Sequence, residues 1–302
     1  MPTDPLTSAP PAAGEAGFSA CVLAFNASDP SGAGGQAADL IASACVGVHA
    51  LPVMTGAWAR DTAQIFDFYP LDDEAVAEQA RAVLEDVEVH AIKLGFAGTP
   101  DNLGVVAAVA ADYAELPLIA HMPDLSWWSN DAIDAYHEAF VDLIMPETAV
   151  LIGNYSTLRR WLLPAWQGDR PPGARDLAIA AGAHGASYTL VTGIDLGERG
   201  IENSLASPQT LLASARFERL EGSFVGAGDT LAATFAALMA NRYSLTDAFA
   251  EALQYLEGSL KDGFRPGMGH ALPDRLFWAQ PADAATDMDT QTDSPTDALQ
   301  AD

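Results

Sequence analysis

Positive charge is scarce in this chain. Fourteen Lys and Arg stand against 41 Asp and Glu, a net charge of −27. A body this acidic repels a nucleic-acid backbone and an anionic membrane surface, so neither is expected as a partner. A nucleotide ligand would find few cations for its phosphates, and backbone N–H groups with a divalent cation would have to carry most of that load. Cysteine is nearly absent. Cys21 and Cys45 lie in apolar surroundings without CxxC spacing, which excludes a disulfide framework and suits free thiols in a reducing, cytoplasmic setting. No run of 18 apolar residues free of charge occurs, so no membrane span is expected. Residues 1–17 hold no Lys or Arg and so lack the basic start of a secretory signal; they read as a flexible leader. Residues 281–302 have no basic residue and only Met288 and Leu299 as large apolar ones, the composition of a disordered acidic tail. The folded domain is expected over 18–280.

Metal-ligand spacing is also missing. His121, His137 and His184 do not pair, and Glu138 after His137 does not complete HExxH, so no protein-held metal site is expected. Trp127 and Trp128 follow a strand-like run and could cover a pocket, although a surface or core pair is the commoner reading. The glycine-rich segment Gly267–His270 discloses no role.

Short apolar runs alternating with helical patterns are what the chain does have. Strands are expected at Cys21–Phe25, Leu51–Ala57, His90–Phe96, Leu118–Met122, Ala149–Gly153 and Ser187–Thr192. Helices are expected at Gln36–Val46, Asp73–Leu84, Pro100–Tyr113, Asp131–Leu143 and Arg175–Ala183, with two more at Ala227–Asn241 and Leu245–Lys261. Gln209–Leu220 alternates less cleanly and suggests an antiparallel edge hairpin. The alternation predicts an α/β fold, a mainly parallel sheet covered on both faces. Ligands of such sheets bind beyond the carboxyl ends of the strands.

Two glycine-rich loops fall there. Ser28–Gly35 (SDPSGAGG) follows the first strand, and its small residues let backbone approach a ligand, with Asp29 and Ser31 able to bond the turn. Gly226-Ala227-Gly228-Asp229-Thr230 opens a helix whose Leu231, Phe235 and Leu238 repeat at helical spacing. Free N–H groups at a helix start form an anion cradle. A carboxylate there, Asp229, stays ionised and suits a base for an alcohol attacking a phosphate.

With these residues in view, the sequence resembles the hydroxymethylpyrimidine/phosphomethylpyrimidine kinases. Ser28–Leu40 is similar to their SDPSGGAGIQADL signature, Lys93-Leu94-Gly95-Phe96 to their KIGM segment, and Gly226–Thr230 falls at their GTGCT anion hole. The resemblance spans about residues 20–261 and implies a three-layer α/β/α ribokinase-like fold, usually dimeric, using ATP and Mg²⁺. It implies phosphorylation of 4-amino-5-hydroxymethyl-2-methylpyrimidine and then of its monophosphate, in thiamine biosynthesis. Asp229 would be the base and Gly226, Ala227 and Gly228 the cradle. Asp29, Gly34, Asp39, Arg60 and Phe96 would serve the acceptor; Asn154, Thr192 and Gly193 would serve the nucleotide, Asn154 through Mg²⁺ or its water.

The chain also departs from the family pattern. Asp229 replaces the family cysteine, Arg60 the glutamine that reads the aminopyrimidine edge, and Phe96 the methionine beside the ring. His121-Met122-Pro123-Asp124 stands for the DPV segment, Thr157 for the Glu of N-x-x-E, and Thr192 for the usual lysine. Guanidinium donates but cannot accept, so a pyridoxal or pyridoxine kinase on the same fold is a second reading. A ligand sensor without turnover is a third, and a structural protein whose acidic tail recruits a partner is a fourth.

Overall fold

A computed structural model describes residues 20–197 and 200–279. The expected leader and acidic tail lie outside the described residues. Nine strands form one sheet: β1 (Cys21–Ser28), β2 (His49–Arg60), β3 (Ile65–Pro70), β4 (Ala91–Leu94), β5 (Leu118–His121), β6 (Thr148–Asn154), β7 (Tyr188–Gly197), β8 (Gly200–Ala206) and β9 (Leu211–Glu218). Their order is β3-β2-β1-β4-β5-β6-β7-β8-β9. The six strands from β2 to β7 run parallel, while β3 at one edge and the β8–β9 pair at the other are antiparallel.

Eight α-helices cover the sheet: α1 (Gly35–Cys45), α2 (Asp73–Leu84), α3 (Pro100–Asp112), α4 (Asn130–Ala139), α5 (Tyr155–Leu162), α6 (Ala174–Gly182), α7 (Ala227–Ala240) and α8 (Leu245–Lys261). The inner strands read as unbroken apolar runs because both of their faces are buried. Along β1, Leu23 and Phe25 enter one core with α2, α3 and α6, whereas Val22 enters a second core with α7 and α8. α7 is buried from Thr230 to Ala240. Its alanines let it lie close against β1, β4, β5 and β6, so its first turn arrives at the carboxyl edge of the sheet.

Three elements were not expected from the sequence. β3 (IFDFYP) is an edge strand with Phe66 and Tyr69 exposed, so no apolar face marks it. β8 carries buried Asn203 and Ser204, polar residues that blur its pattern. α5 is only eight residues long and follows β6 directly, with the Asn154 side chain capping Thr157 N. The helix expected over 131–143 ends at Ala139 and continues as a π-turn at Phe140–Ile144.

Beyond α8 the chain returns to the carboxyl edge. Val225 N donates to Ala271 O, Phe264 bridges Leu272, and His270 N donates to Thr62 O in the β2–β3 turn.

Candidate active site

The first glycine loop is built around Asp29. Its Oδ1 accepts from Ser31 N (2.9 Å) and Ser31 Oγ (2.6 Å), and its Oδ2 accepts from Gly34 N (2.9 Å). This Asx-type bonding folds the loop back on itself. Gly226 meets the loop from the other side at φ +88°, and a Cβ there would lie 1.5 Å from Ala33 O. Only glycine fits both the left-handed backbone and that approach. A helix start leaves its first N–H groups without an internal partner, and Gly226, Ala227, Gly228 and Asp229 line a cavity of about 810 Å³ at the sheet's carboxyl edge.

Asp229 is tied down by donors from three elements. Oδ1 accepts from Lys93 Nζ (3.0 Å) and Asn26 Nδ2 (3.0 Å), and Oδ2 from Gly35 N (3.0 Å). Burial alone would raise its pKa. The Lys93 ammonium, the His121 imidazole and the Gly35 N–H outweigh burial and hold it well below the usual carboxylate range. Lys93 is fully buried and also donates to Asp39 Oδ1 (2.8 Å). Burial works against its charge, but the two carboxylates raise its pKa and keep it protonated. Asp39, expected to support the first loop, is buried and bonded to Lys93 and Asn26 rather than lining the cavity.

Arg60 lines the cavity, with Nη1 3.5 Å from Asp29 Oδ2. Phe96 also borders it, but its faces are occupied. Trp58 stacks on it at 4.6 Å, Tyr136 lies 5.4 Å away at 30°, and Phe96 is only 3% exposed. The aromatic surface left for a ligand belongs to the half-buried Trp58 and Trp127, which meet edge to face at 4.9 Å. Trp127 is thus part of the cavity wall, the less common of the two readings its sequence position offered.

Thr192 joins this cavity to a second one of about 300 Å³, lined also by Gly193, Asn203, Phe217, Leu253 and Leu256. Gly193 takes φ +70°, and its N–H donates to Asn203 Oδ1. Asn154 borders the larger cavity, but its Oδ1 is committed to Thr157 N (2.8 Å) and the Ser156 hydroxyl. Among the described residues no group of three or more His, Cys, Asp or Glu side chains is placed to hold a metal ion. A third cleft of about 790 Å³ lies at the amino ends of the strands, lined by Glu88, Glu115, Glu147 and Arg242, far from either glycine loop.

Sequence reasoning gave no role to Asn26, Lys93, Trp58, His121, His270 or Arg275. One of them carried a readable signal. Lys93 is one of two lysines in the chain and interrupts an apolar strand, AIKL; a charge in such a run needs partners.

Solved structures share this fold. A Bacillus subtilis pyridoxal kinase in complex with ADP superposes with a TM-score of 0.78 at 19% identity, covering 87% of this chain and all of that one. A phosphomethylpyrimidine kinase from Clostridium difficile gives 0.63 at 19% identity, over 78% of this chain and 99% of that one. The shared architecture is the three-layer α/β/α fold of the ribokinase-like kind. The family model described as phosphomethylpyrimidine kinase matches residues 29–274, and the chain belongs to that family of phosphotransferases. Hydroxymethylpyrimidine/phosphomethylpyrimidine kinases of Mycobacterium leprae and Streptomyces coelicolor are each 27% identical to it. The first alignment spans 85% of this chain and 94% of the relative; the second spans 82% and 91%.

Proposed function

We propose that the protein transfers the γ-phosphate of ATP to the hydroxymethyl group of 4-amino-5-hydroxymethyl-2-methylpyrimidine, and then phosphorylates the monophosphate, in thiamine biosynthesis. The observation that carries this reading is the placement of the α7 cradle and Asp229 at one end of an 810 Å³ cavity walled by Trp58, Trp127 and Arg60. In this reading the planar acceptor lies against Trp58 and Trp127, and Arg60, steadied by Asp29, donates to a ring nitrogen. The N–H groups of Gly226, Ala227 and Gly228 hold the transferring phosphoryl group. Asp229 is the fixed carboxylate beside it. Thr192 and Gly193 receive the nucleotide, whose base enters the smaller, mainly apolar cavity.

Mg²⁺ needs only one or two protein oxygens besides phosphate. Asp124 stands on the wall where it would meet a cation carried in on the nucleotide, and Asn154, its Oδ1 already accepting two bonds, would reach that cation through water; the cation's role would be to neutralise phosphate charge that so acidic a chain cannot. A homodimer in the reducing cytosol belongs to the same proposal.

ADP release measured with Mg·ATP and three acceptors, the aminopyrimidine alcohol, its monophosphate and pyridoxine, tests the reading. Turnover of both pyrimidines supports it. Preference for pyridoxine would favour the second reading, which Arg60 supports because guanidinium cannot accept from an exocyclic amine. Binding without turnover would make the protein a sensor.

A further inference from the structure

We infer that Gln64 selects the acceptor, its side-chain carbonyl taking the hydrogen bond of the exocyclic amine while Arg60 donates to the ring. This deepens the kinase reading above and rests on it.

An aminopyrimidine presents a donor, its exocyclic amine, beside a ring nitrogen that accepts. An amide matches that edge with one acceptor and one donor, as glutamine does when it reads adenine. Guanidinium only donates, so Arg60 leaves the amine without a partner. Across the turn of the same hairpin stands Gln64. β2 and β3 pair through Arg60 and Ile65, which puts Gln64 beside Arg60 at the tip, and both border the 810 Å³ cavity. The Gln64 backbone is bonded within the turn, while its side-chain amide is engaged by no other described residue.

The tip that carries Gln64 is fixed from two sides. Within the turn, Asp61 Oδ1 accepts from Ala63 N (2.7 Å) and Gln64 N (2.8 Å), and Asp61 N donates to Gln64 O (3.1 Å). From outside, the glycine-rich segment 267–270 lies across it. Gly269 N donates to Thr62 Oγ1 (3.2 Å) and His270 N to Thr62 O (3.0 Å). A Cβ on residue 269 would lie 2.4 Å from the Thr62 carbonyl carbon and 2.5 Å from Ala63 N, so the two backbones can approach this closely only at a glycine. The next residue, Ala271, donates to Ser223 O and accepts from Val225 N, one position ahead of Gly226. Residues 269–271 thus tie the hairpin tip to the start of the cradle.

His270 borders the same cavity and is the competing acceptor. A neutral imidazole nitrogen accepts without a donor alongside it, so it matches only half of the edge.

The test uses the full chain with two acceptors, the aminopyrimidine alcohol and the same alcohol lacking its exocyclic amine. It measures kcat and KM for each at saturating Mg·ATP, and Kd for each by calorimetry, in the unmutated protein, Gln64→Leu, Gln64→Glu and His270→Ala. Gln64 is exposed, so its variants should keep the fold, which melting temperature verifies. Gln64→Leu should raise KM and Kd for the aminopyrimidine by about three- to tenfold, the worth of one neutral hydrogen bond, and move those of the analogue much less. Gln64→Glu keeps an acceptor and should retain part of the preference for the amine. Equal changes for the two alcohols, no change for either, or a preference lost in His270→Ala but kept in Gln64→Leu would each overturn the inference and leave the kinase reading in place. Binding without turnover would sink the kinase reading, and the Kd values would still decide on Gln64. If the unmutated protein neither binds nor phosphorylates the aminopyrimidine, both fail together.

Discussion

The Nε of Arg275 donates to the hydroxyl of Thr230 at 2.9 Å, while its Nη1 and Nη2 donate to the carbonyls of Gly32 and Ala33. One guanidinium thus fastens the first glycine loop to the first turn of α7. It is 5% exposed, and its fixed fork geometry matches three acceptors that no lysine could reach together.

Arg275→Met should therefore loosen the loop against the cradle. Each buried carbonyl left without a donor costs about 1–3 kcal/mol. Urea unfolding should show a loss of that order, and the acceptor KM should rise. Arg275→Lys should recover only part of either. Wild-type stability in Arg275→Met would show that the loop is held by Asp29 and Gly226 alone.

Lys93 is the one ammonium between Asp39 and Asp229. Removing one partner of a buried pair costs about 3–5 kcal/mol, so Lys93→Met should be strongly destabilised at neutral pH. The sign of its pH dependence follows from the carboxylates. Asp229, with a depressed pKa, contributes stability that is present at neutral pH and lost in acid. Without Lys93, Asp39 and Asp229 repel, and one of them can take up a proton in acid. The deficit relative to the unmutated protein should be smallest in acid and grow as pH rises above the ordinary carboxylate value of 3.8. Urea midpoints at several pH values measure it; a deficit that does not change with pH would mean the lysine acts through packing.

Trp58 and Phe96 should separate cleanly. Phe96 lies in the core, and Phe96→Ala should cost about 3–5 kcal/mol of stability. Trp58→Ala should leave more of the stability intact and raise the acceptor KM, with a smaller effect on the KM for ATP. Arg60→Ala should show the same KM bias. Steady-state kinetics with each substrate varied in turn checks all three.

Gly226→Ala places a methyl group against the Ala33 carbonyl at a backbone angle that L-residues rarely adopt. The cradle and the first loop cannot both keep their places. Turnover should collapse even if melting temperature falls only modestly. Retained kcat would remove the loop contact from the mechanism.

Much of the framework could be read from local signals. α2 and α8 occur at the limits the helical pattern sets, Asp73–Leu84 and Leu245–Lys261. The parallel strands announced themselves as apolar runs, and the glycine loops as clusters of residues tolerant of positive φ. The contacts that hold the site together had no such signal. Lys93 reaches Asp229 because β4 lies beside β1, pairing Ala24 with Lys93, and that neighbour relation skips β2 and β3 in sequence. His121 meets Gly228 only because β5 ends and α7 begins at the same edge. Asp39 was grouped with the acceptor residues as a support for the first loop, by its closeness in sequence. One helical turn of α1 carries it beneath the cavity instead, where Lys93 and Asn26 bond it.

The bonds from Arg275 to the first loop span 243 and 242 positions. During synthesis, β1 and the loop after it leave the ribosome long before the residue that fastens them. The sheet and its two cores can form meanwhile, since domains fold as their residues become available. The loop and the cradle are locked together only once residue 275 has emerged, so a nascent chain halted ahead of it would carry a nearly complete sheet and an unfastened site.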